Sequence, residues 1–179
     1  MKFVLPIGAL SAALLTAGMA QAAGSDSSPP KTDSVKACPT GYVYDQQTKA
    51  CVQPRDSRLD DSERFEAARA YAYLGRTDEA FAVLSAMTDQ DDDRVLTYMG
   101  FTHRKAGNAA EAQEYYRQAL DQNPDNLLAR SYRAQGWVEE GKLHMARAEL
   151  TEIRKRGGRG TWAELSLRLA IDAGRGFSY

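Results

Sequence analysis

Side chains that commonly build catalytic and metal centres are scarce in this sequence. Its 179 residues include two cysteines and two histidines, and His103 and His144 lie far apart in the chain. The sequence has no glycine-rich phosphate loop and no Gly-x-Ser-x-Gly nucleophile motif. The acidic run at 89–93 is similar to a calcium loop, but Arg94 stands where such a loop requires glycine. We therefore expect no enzymatic activity, no cofactor and no metal site.

An excess of charge of one sign is also missing. The chain has 23 lysine and arginine residues against 24 aspartate and glutamate residues, which gives a formal net charge of -1. Nucleic-acid-binding domains usually carry a basic excess, so we expect no nucleic-acid partner. With 43% hydrophobic and 26% charged residues, the composition is typical of one globular domain with a short appendage.

The most apolar segment lies at the N-terminus and is too short to cross a bilayer. Lys2 precedes an interrupted apolar run from Phe3 to Ala17, whereas a bilayer-spanning helix needs roughly 20 residues. Ala20-Gln21-Ala22 then provides the small-x-small pattern of a cleavage site. We predict that residues 1–22 are a signal peptide, that the protein is exported and that no stable membrane anchor remains. The periplasm of a Gram-negative bacterium is the favoured compartment, with an extracellular location as the alternative.

The residues that follow this leader have little with which to form a core. The segment 23–37 is rich in serine, contains Pro29 and Pro30, and has few apolar side chains. Such a segment cannot bury enough surface to offset the entropy lost on ordering it. We predict a disordered linker that the two prolines stiffen locally.

Cys38 and Cys51 follow the linker and enclose a short segment. Residues 42–44 favour a strand, and residues 45–49 are compatible with a turn. In an exported protein such a pair favours an intramolecular disulfide, which for so short a loop is worth roughly 3 kcal/mol. We predict a disulfide-pinned hairpin at 38–54. We expect it to lie outside the rest of the fold, so that the helical domain folds without the disulfide.

Residues 38–54 contain the pattern Cys-Pro-x-Gly-x-Val-Tyr-Asp followed by Cys-Val-x-Pro. This pattern resembles the closing hairpin of peritrophin-type chitin-binding modules. The remaining cysteines of those modules are absent from this sequence. The resemblance implies contact with glycan through Tyr42 and Tyr44.

From Asp60 onward the sequence is repetitive. Three glycines lie 32 and then 34 residues apart, and each is followed five residues later by an alanine. A period of about 34 residues is the length of a helix-turn-helix repeat. The pairs are Gly75 with Ala80, Gly107 with Ala112, and Gly141 with Ala146.

The middle copy carries a characteristic set of small and large residues, namely Leu96, Met99, Gly100, His103, Ala112, Tyr116, Ala119 and Pro124. Their spacing is similar to that of the tetratricopeptide repeat. Arg64, Arg130 and Arg133 depart from that pattern in the flanking copies. The resemblance implies an all-α fold of three stacked helix-turn-helix repeats with a C-terminal capping helix. The implied repeats lie at about 61–92, 93–126 and 127–160, and the capping helix at 161–173, within a domain at 60–174.

Small residues recur where the two helices of each repeat would meet. A small side chain on each helix allows their backbones to approach closely. At the start of the first helix, Asp60 and Glu63 have the spacing of a capping box. We expect Ala68, Gly100 and Ala134 on the first helices to face Ala80, Ala112 and Ala146 on the second.

Stacked repeats of this type present their first helices along a concave groove, and helical spacing indicates which side chains point into it. Aromatic residues together with several cations suit an extended polypeptide that carries apolar and acidic side chains. We expect Tyr73 and Phe101 to be the main anchors and Arg104 with Lys105 to be the electrostatic centre. The predicted groove residues are Phe65, Arg69, Tyr73, Arg94, Phe101, Arg104, Lys105 and Gln135.

From these groove residues we predict a periplasmic adaptor that binds another protein or peptide. The alternative is that this helix face is simply solvated and binds no ligand, because charged surface is common. A second function from another class is glycan or cell-wall binding through the hairpin. We do not expect the family's clamp for a terminal carboxylate, because its positions are occupied by Phe65, Arg69, Tyr98, Leu128 and Tyr132.

Overall fold

A computed structural model describes residues 28–33 and 38–176. The predicted signal peptide at 1–22 lies outside these residues, as do 23–27 and 34–37 of the predicted linker. Over the described ranges the chain forms a two-stranded hairpin followed by seven helices. None of these helices combines the length and the apolar character that crossing a membrane would require.

The helices form three antiparallel pairs and one additional helix, so the all-α repeat fold is confirmed. Helices α1, α3 and α5 are the first helices of the repeats and pack side by side, and α7 packs beside α5. The predicted capping helix is therefore present. The bounds are α1 Asp61–Tyr73, α2 Thr77–Leu84, α3 Asp93–Lys105, α4 Ala109–Gln122, α5 Leu127–Glu139, α6 Leu143–Lys155 and α7 Trp162–Ala173.

The turn between the paired helices has the same backbone geometry in all three repeats. Gly75, Gly107 and Gly141 adopt positive φ angles of 72°, 86° and 75°, in the left-handed region that disfavours a side chain. In each turn the amide after the glycine donates back across the end of the helix, which is the hydrogen bond of a Schellman motif. These bonds join Arg76 to Tyr71, Asn108 to His103 and Lys142 to Trp137, at 2.8 to 2.9 Å.

Side-chain caps define where the first helices begin. The predicted capping box is present: Asp60 Oδ1 accepts from the Glu63 amide at 2.8 Å, and Glu63 Oε2 accepts from the Asp60 amide at 3.2 Å. Asp92 and Asn126 cap α3 and α5 in the same way, through one side-chain oxygen each. Each repeat therefore starts at a polar cap and turns at a glycine.

Close helix contacts within the repeats follow the predicted small residues. All six of these residues are buried. The middle repeat is the tightest, because a Cβ atom added to Gly100 would lie 2.7 Å from Tyr116 Cε1 and 3.1 Å from the Ala112 carbonyl oxygen. Gly100 thus sets the distance between α3 and α4.

The hairpin consists of β1 (Val43–Asp45) and β2 (Ala50–Val52), which pair antiparallel with Val43 opposite Val52. The predicted Cys38–Cys51 disulfide is formed, with a Cα–Cα distance of 5.6 Å. In the turn, Asp45 Oδ1 accepts from the backbone amides of Gln47 and Thr48 at 2.8 and 3.2 Å. These bonds replace the backbone pairing that the turn lacks.

The hairpin packs on the first repeat, which corrects the expectation that it lies outside the rest of the fold. Val43 and Val52 are 1% and 4% exposed, and they belong to the same hydrophobic cluster as Ala67 and Tyr71 of α1. The Tyr71 hydroxyl also donates to the carbonyl of Tyr42. An open-ended stack exposes apolar surface at its ends, and the hairpin covers the N-terminal one.

Arg64, which departs from the repeat pattern, fixes the connection between the hairpin and α1. Its Nε donates to the Pro54 carbonyl at 2.8 Å, and its Nη2 donates to the Asp56 carbonyl at 2.9 Å. The Nη1 of Arg64 forms an ion pair with Asp61 Oδ1 at 2.8 Å. Arg64 therefore fixes the segment between the hairpin and α1 rather than filling the core of the repeat.

The other two departures, Arg130 and Arg133, also have structural partners. Both lie on α5 and form ion pairs with the buried carboxylate of Glu149 on α6, at 2.5 and 3.0 Å. A buried carboxylate requires such compensation. In the third repeat this ion-pair cluster joins the two helices.

Candidate functional site

The first helices of the repeats form one face of the stack, which we call the inner face. The residues predicted to line a groove all lie on these helices, but the structure divides them into two groups. One group surrounds an open cavity at α1 and α3. The other is packed into the joints between the neighbouring helices α1, α3, α5 and α7, and we call that region the closed half.

The open cavity has a volume of about 320 Å³. Three of the predicted groove residues line it, namely Phe65, Arg69 and Arg94. Residues from the start of α5 close its far side. The other lining residues are Asp61, Ser62, Glu66, Thr97, Tyr98, Asn126 and Leu128.

Phe65 supplies the aromatic surface of the open cavity. Its ring packs edge-on against Tyr98, with centroids 5.3 Å apart. The guanidinium carbons of Arg94 and Arg69 lie 5.3 and 5.9 Å from its centroid. Phe65 is half-buried, so part of the ring remains available for contact. The arrangement suits an apolar or planar group, because both ring and guanidinium surfaces favour stacking.

Arg69 is held in one orientation by the surrounding side chains. Its Nη1 donates to both carboxylate oxygens of Glu66 at 2.7 and 2.9 Å, and its Nε donates to the Tyr98 hydroxyl at 3.0 Å. Burial alone would lower its pKa, but Tyr98 and Glu66 outweigh burial and the pKa of Arg69 is raised. The guanidinium is therefore a fixed, permanently charged donor. Its Nη2 donates at 2.8 Å to the main-chain carbonyl of Ser28.

Arg94 is the more accessible of the two cations at the cavity. Its side chain is 44% exposed and pairs with Asp92, from Nη2 to Oδ2, at 2.6 Å. Asp61 and Glu66 also line the cavity, so its charges are mixed rather than uniformly basic. A partner that meets this surface is therefore not required to be strongly acidic.

Asn126 anchors the start of α5 at the far side of the cavity. Its Nδ2 donates to Asp93 Oδ2 at 2.7 Å and to Thr97 Oγ1 at 3.0 Å, and its own Oδ1 caps the Ala129 amide at 2.8 Å. Asn126 is 2% exposed. One side chain thus joins α3 to the start of α5 beside the cavity.

The predicted aromatic anchors belong to the closed half. Phe101 is 0% exposed and Tyr73 is 8% exposed, and their rings stack with centroids 5.1 Å apart. Phe101 also packs against Tyr132 at 4.7 Å. The prediction that these residues are presented to a partner is therefore wrong. They fill the space between neighbouring first helices because aromatic side chains from α1, α3 and α5 converge there.

The predicted electrostatic centre is likewise packed into the closed half. The Arg104 side chain is 4% exposed and pairs through Nη1 with Glu139 Oε1 of α5 at 2.5 Å. Lys105 is half-buried, and burial together with the charge of Arg104 lowers its pKa. Gly176 is also buried here, and a Cβ atom at that position would overlap Glu139 Oε1. Arg104 is thus a structural cation that joins α3 to α5.

Gln135 lies between α5 and α7 rather than in a groove. It is 0% exposed, and its Nε2 donates to the hydroxyls of Ser131 and Ser166 at 3.3 Å each. Ser166 belongs to α7, which packs beside α5 as a fourth first helix. Because α7 covers this side of α5, the prediction of Gln135 as a binding residue is wrong.

Several residues of the open cavity were not among the predicted groove residues. Tyr98 and Leu128 occupy positions that correspond to the family's carboxylate clamp, so the family pattern could have identified them. The sequence does not indicate that Asn126 lines a cavity, since an asparagine at this position predicts only a helix cap. Glu66 precedes Arg69 by three residues, a spacing that indicates an ion pair but not a cavity.

The open cavity presents polar, charged and aromatic groups that can contact a ligand. Across residues 28–33 and 38–176, no group of three or more histidine, cysteine, aspartate or glutamate side chains is arranged to hold a metal ion. The open cavity offers a fixed guanidinium, an accessible guanidinium and a half-buried aromatic ring. These are groups that bind a main-chain carbonyl, an acidic side chain and an apolar side chain, respectively.

Comparison with protein-family models gives a match on the middle repeat. Residues 93–126, which include α3 and α4, match the family model described as the tetratricopeptide repeat. No curated protein and no solved structure shows a significant match to the chain. The pairs α1–α2 and α5–α6 have the same glycine turn and small-residue contact as the matched pair. Residues 93–126 are therefore similar to a tetratricopeptide repeat, and the helix pairs on either side share the geometry of this matched pair.

Proposed function

We propose that this protein is an exported adaptor that binds an extended polypeptide segment in the open cavity of its inner face. Tetratricopeptide-repeat domains generally bind proteins or peptides. The observation that carries the proposal is the contact of Arg69 Nη2 with a main-chain carbonyl, that of Ser28, at 2.8 Å. Arg69 is already fixed by Glu66 and Tyr98, so a polypeptide carbonyl meets a preorganised donor.

The size of the cavity favours a short segment over a folded domain. A volume of about 320 Å³ is near the lower end of the range for ligand pockets and accommodates a few side chains. An apolar side chain of the partner would contact Phe65, and an acidic one would reach the exposed Arg94. Asp61 and Glu66 line the same cavity and would repel a highly acidic segment. The proposed partner is accordingly extended and only partly acidic.

Export to an oxidising compartment, the periplasm in our proposal, rests on two features. The first is the signal-peptide pattern of residues 1–22. The second is the Cys38–Cys51 disulfide, a bond that persists in oxidising compartments and is rare in the cytosol. Detection of the mature protein in the periplasmic fraction, with both cysteines resistant to alkylation until reduction, would support this location. Free thiols in freshly isolated protein would argue against it.

Site-specific photocrosslinking in the cells that produce the protein tests the cavity directly. Ser62 is exposed and lines the open cavity, whereas Glu114 is exposed on α4. A photoreactive amino acid at 62 should crosslink to a polypeptide partner, and the same amino acid at 114 should not. Mass spectrometry of the adduct would identify the segment. Equal crosslinking at both positions would indicate contacts without site specificity and would contradict the proposal.

Glycan binding through the hairpin is the second candidate function. Tyr42 is 38% exposed, although Tyr44 is half-buried and the apolar face of the hairpin packs on the first repeat. A pull-down with insoluble chitin and with peptidoglycan would test it. Retention that is lost in the Tyr42→Ala variant, without loss of peptide binding, would favour the glycan function. Equal retention of the original protein and the Tyr42→Ala variant, or retention of neither, would contradict the glycan function.

A further inference from the structure

The segment before the hairpin reaches the inner face of the repeats. Ser28 lies 41 residues before Arg69 in sequence, yet its carbonyl oxygen accepts a hydrogen bond from Arg69 Nη2 at 2.8 Å. The described part of this segment, 28–33, also contains Pro29, which is exposed, and Pro30, which is half-buried. A part of the chain outside the repeats therefore accepts the Arg69 hydrogen bond that we propose for a partner's carbonyl group.

The chemistry of this segment explains why it suits such a donor. A residue before proline is restricted to extended backbone conformations, which applies to Ser28 and to Pro29. Two consecutive prolines also favour the polyproline II conformation, whose carbonyls are not used within the segment. Proline has no N–H group, so a segment of this kind offers mainly acceptors, and Arg69 offers a donor.

The surroundings of Arg69 also match this type of ligand. Polyproline II segments dock on surfaces lined by aromatic side chains, and both Phe65 and Tyr98 line the open cavity. The two rings pack edge-on at 5.3 Å, and Arg69 lies 5.7 Å from the Tyr98 centroid. An aromatic surface next to a fixed carbonyl-binding donor is what an extended, proline-containing segment requires.

We propose that the open cavity and Arg69 select an extended, proline-containing segment, and that Ser28–Pro30 of the same chain is an intramolecular ligand that the partner displaces. This inference rests on the proposed function and specifies the chemistry of the partner. A ligand tethered by a short linker has an effective concentration in the millimolar range. The chain's own segment therefore competes with a partner even if its intrinsic affinity is weak.

The test uses a fluorescent peptide with the sequence of residues 24–33, titrated against the purified chain in which residues 24–33 are intact. It is titrated in parallel against a chain with Pro29→Ala and Pro30→Ala, whose own segment lacks the polyproline II preference. We expect the peptide to bind the doubly substituted chain roughly threefold to tenfold more tightly, because the tethered competitor is weakened. Equal affinities would overturn the proposal.

Two controls assign the binding to the predicted groups. A peptide with both prolines replaced by alanine should bind several-fold more weakly than the original peptide, which tests the ligand without changing the protein. The Arg69→Lys chain should also bind the original peptide more weakly, because lysine cannot maintain the three-way contact. Arg69 is buried, so circular dichroism is used to establish that this variant is folded. Unchanged binding in both controls would overturn the assignment.

The outcomes separate this inference from the proposed function. If the 24–33 peptide does not bind but photocrosslinking at Ser62 still captures another extended segment, the intramolecular ligand is wrong and the adaptor function stands. If peptides bind equally whether or not they contain proline, the selectivity is wrong. If neither peptide nor partner contacts the open cavity, both proposals fail.

Discussion

The rings of Phe101 and Tyr132 lie 4.7 Å apart, centroid to centroid, and both side chains are 0% exposed. This contact joins the middle repeat to the third one across the inner face. A position that helical spacing assigns to a groove is therefore part of the core. A substitution on this face is therefore expected to affect binding where it changes the open cavity, and to affect stability where it changes the closed half.

Phe101→Ala should mainly destabilise the fold. Removing a fully buried phenylalanine typically costs roughly 3–5 kcal/mol, because the cavity left behind cannot collapse completely. Urea unfolding followed by circular dichroism measures the loss. Phe65→Ala is the matched control, because Phe65 lies on the same face but is half-buried, and it should lower the free energy of unfolding by less. A stable Phe101→Ala protein would show that this aromatic contact does not support the stack.

The glycines of α3 and α5 give a paired prediction about helix contacts. Gly100→Ala should destabilise, since the added Cβ would lie 2.7 Å from the fixed ring of Tyr116. Overpacking of this kind costs about 1–3 kcal/mol, more than the helix propensity gained. In Gly136→Ala the added Cβ would lie 2.8 Å from Nε2 at the flexible end of the Gln113 side chain. The stability of this variant should therefore change little or rise slightly. Thermal melts of both variants decide the matter, and equal melting temperatures would contradict the packing argument.

Replacing both cysteines by serine should loosen the N-terminal end of the stack. The sequence alone suggests that the helical domain is indifferent to this change, but Val43 and Val52 pack with Tyr71 of α1. We expect a loss of roughly 3 kcal/mol or less, with faster amide exchange in the hairpin and in α1 before the later repeats. Hydrogen exchange with mass spectrometry resolves these regions. Protection in α1 that does not depend on the disulfide would mean that the hairpin does not stabilise the first repeat.

Protonation of His103 should weaken the fold below neutral pH. Its ring lies between Phe81, at 4.5 Å, and Tyr115, at 5.1 Å. Burial lowers the pKa of His103 below 6.5, against a smaller opposite effect of Glu111. The unfolded chain therefore binds the proton more readily, and stability falls as pH drops through about 6.5 and levels off below the folded pKa.

Unfolding free energies of the original protein and of His103→Gln, measured between about pH 7.5 and 5, test this linkage. The stability of the variant should decline less over this range than that of the original protein. Identical pH profiles would mean that His103 does not contribute to acid sensitivity.

The repeat architecture was predictable because it depends on local chemistry. Gly75 and its counterparts fix the turns, Asp60 with Glu63 fixes the first cap, and the small residues fix the helix spacing within each repeat. Each of these signals is contained in a few neighbouring positions. The disulfide followed from the presence of two cysteines in a chain predicted to be exported.

The binding surface was only partly predictable because it depends on contacts between repeats. Helical spacing places Phe65 and Phe101 on the same face, but it does not reveal that Tyr132 covers Phe101. The burial of Gln135 likewise depends on α7, which is distant in sequence and packs beside α5. Whether an inward-facing residue contacts solvent or a neighbouring helix is therefore decided by the stacking geometry.

The most direct test of the open cavity is the dissociation constant of a peptide selected on the purified chain, compared by calorimetry among variants. Phe65→Ala should weaken binding by about thirtyfold, as expected for an aromatic contact worth roughly 2 kcal/mol. Arg94→Glu should weaken it by roughly threefold to tenfold, an effect that high salt reduces. Arg117→Glu is the matched control, because Arg117 is exposed on α4 and ion-paired like Arg94. Its dissociation constant should equal that of the original protein. The same constant for all four proteins, or a loss confined to Arg117→Glu, would contradict the assignment of the open cavity as the binding site.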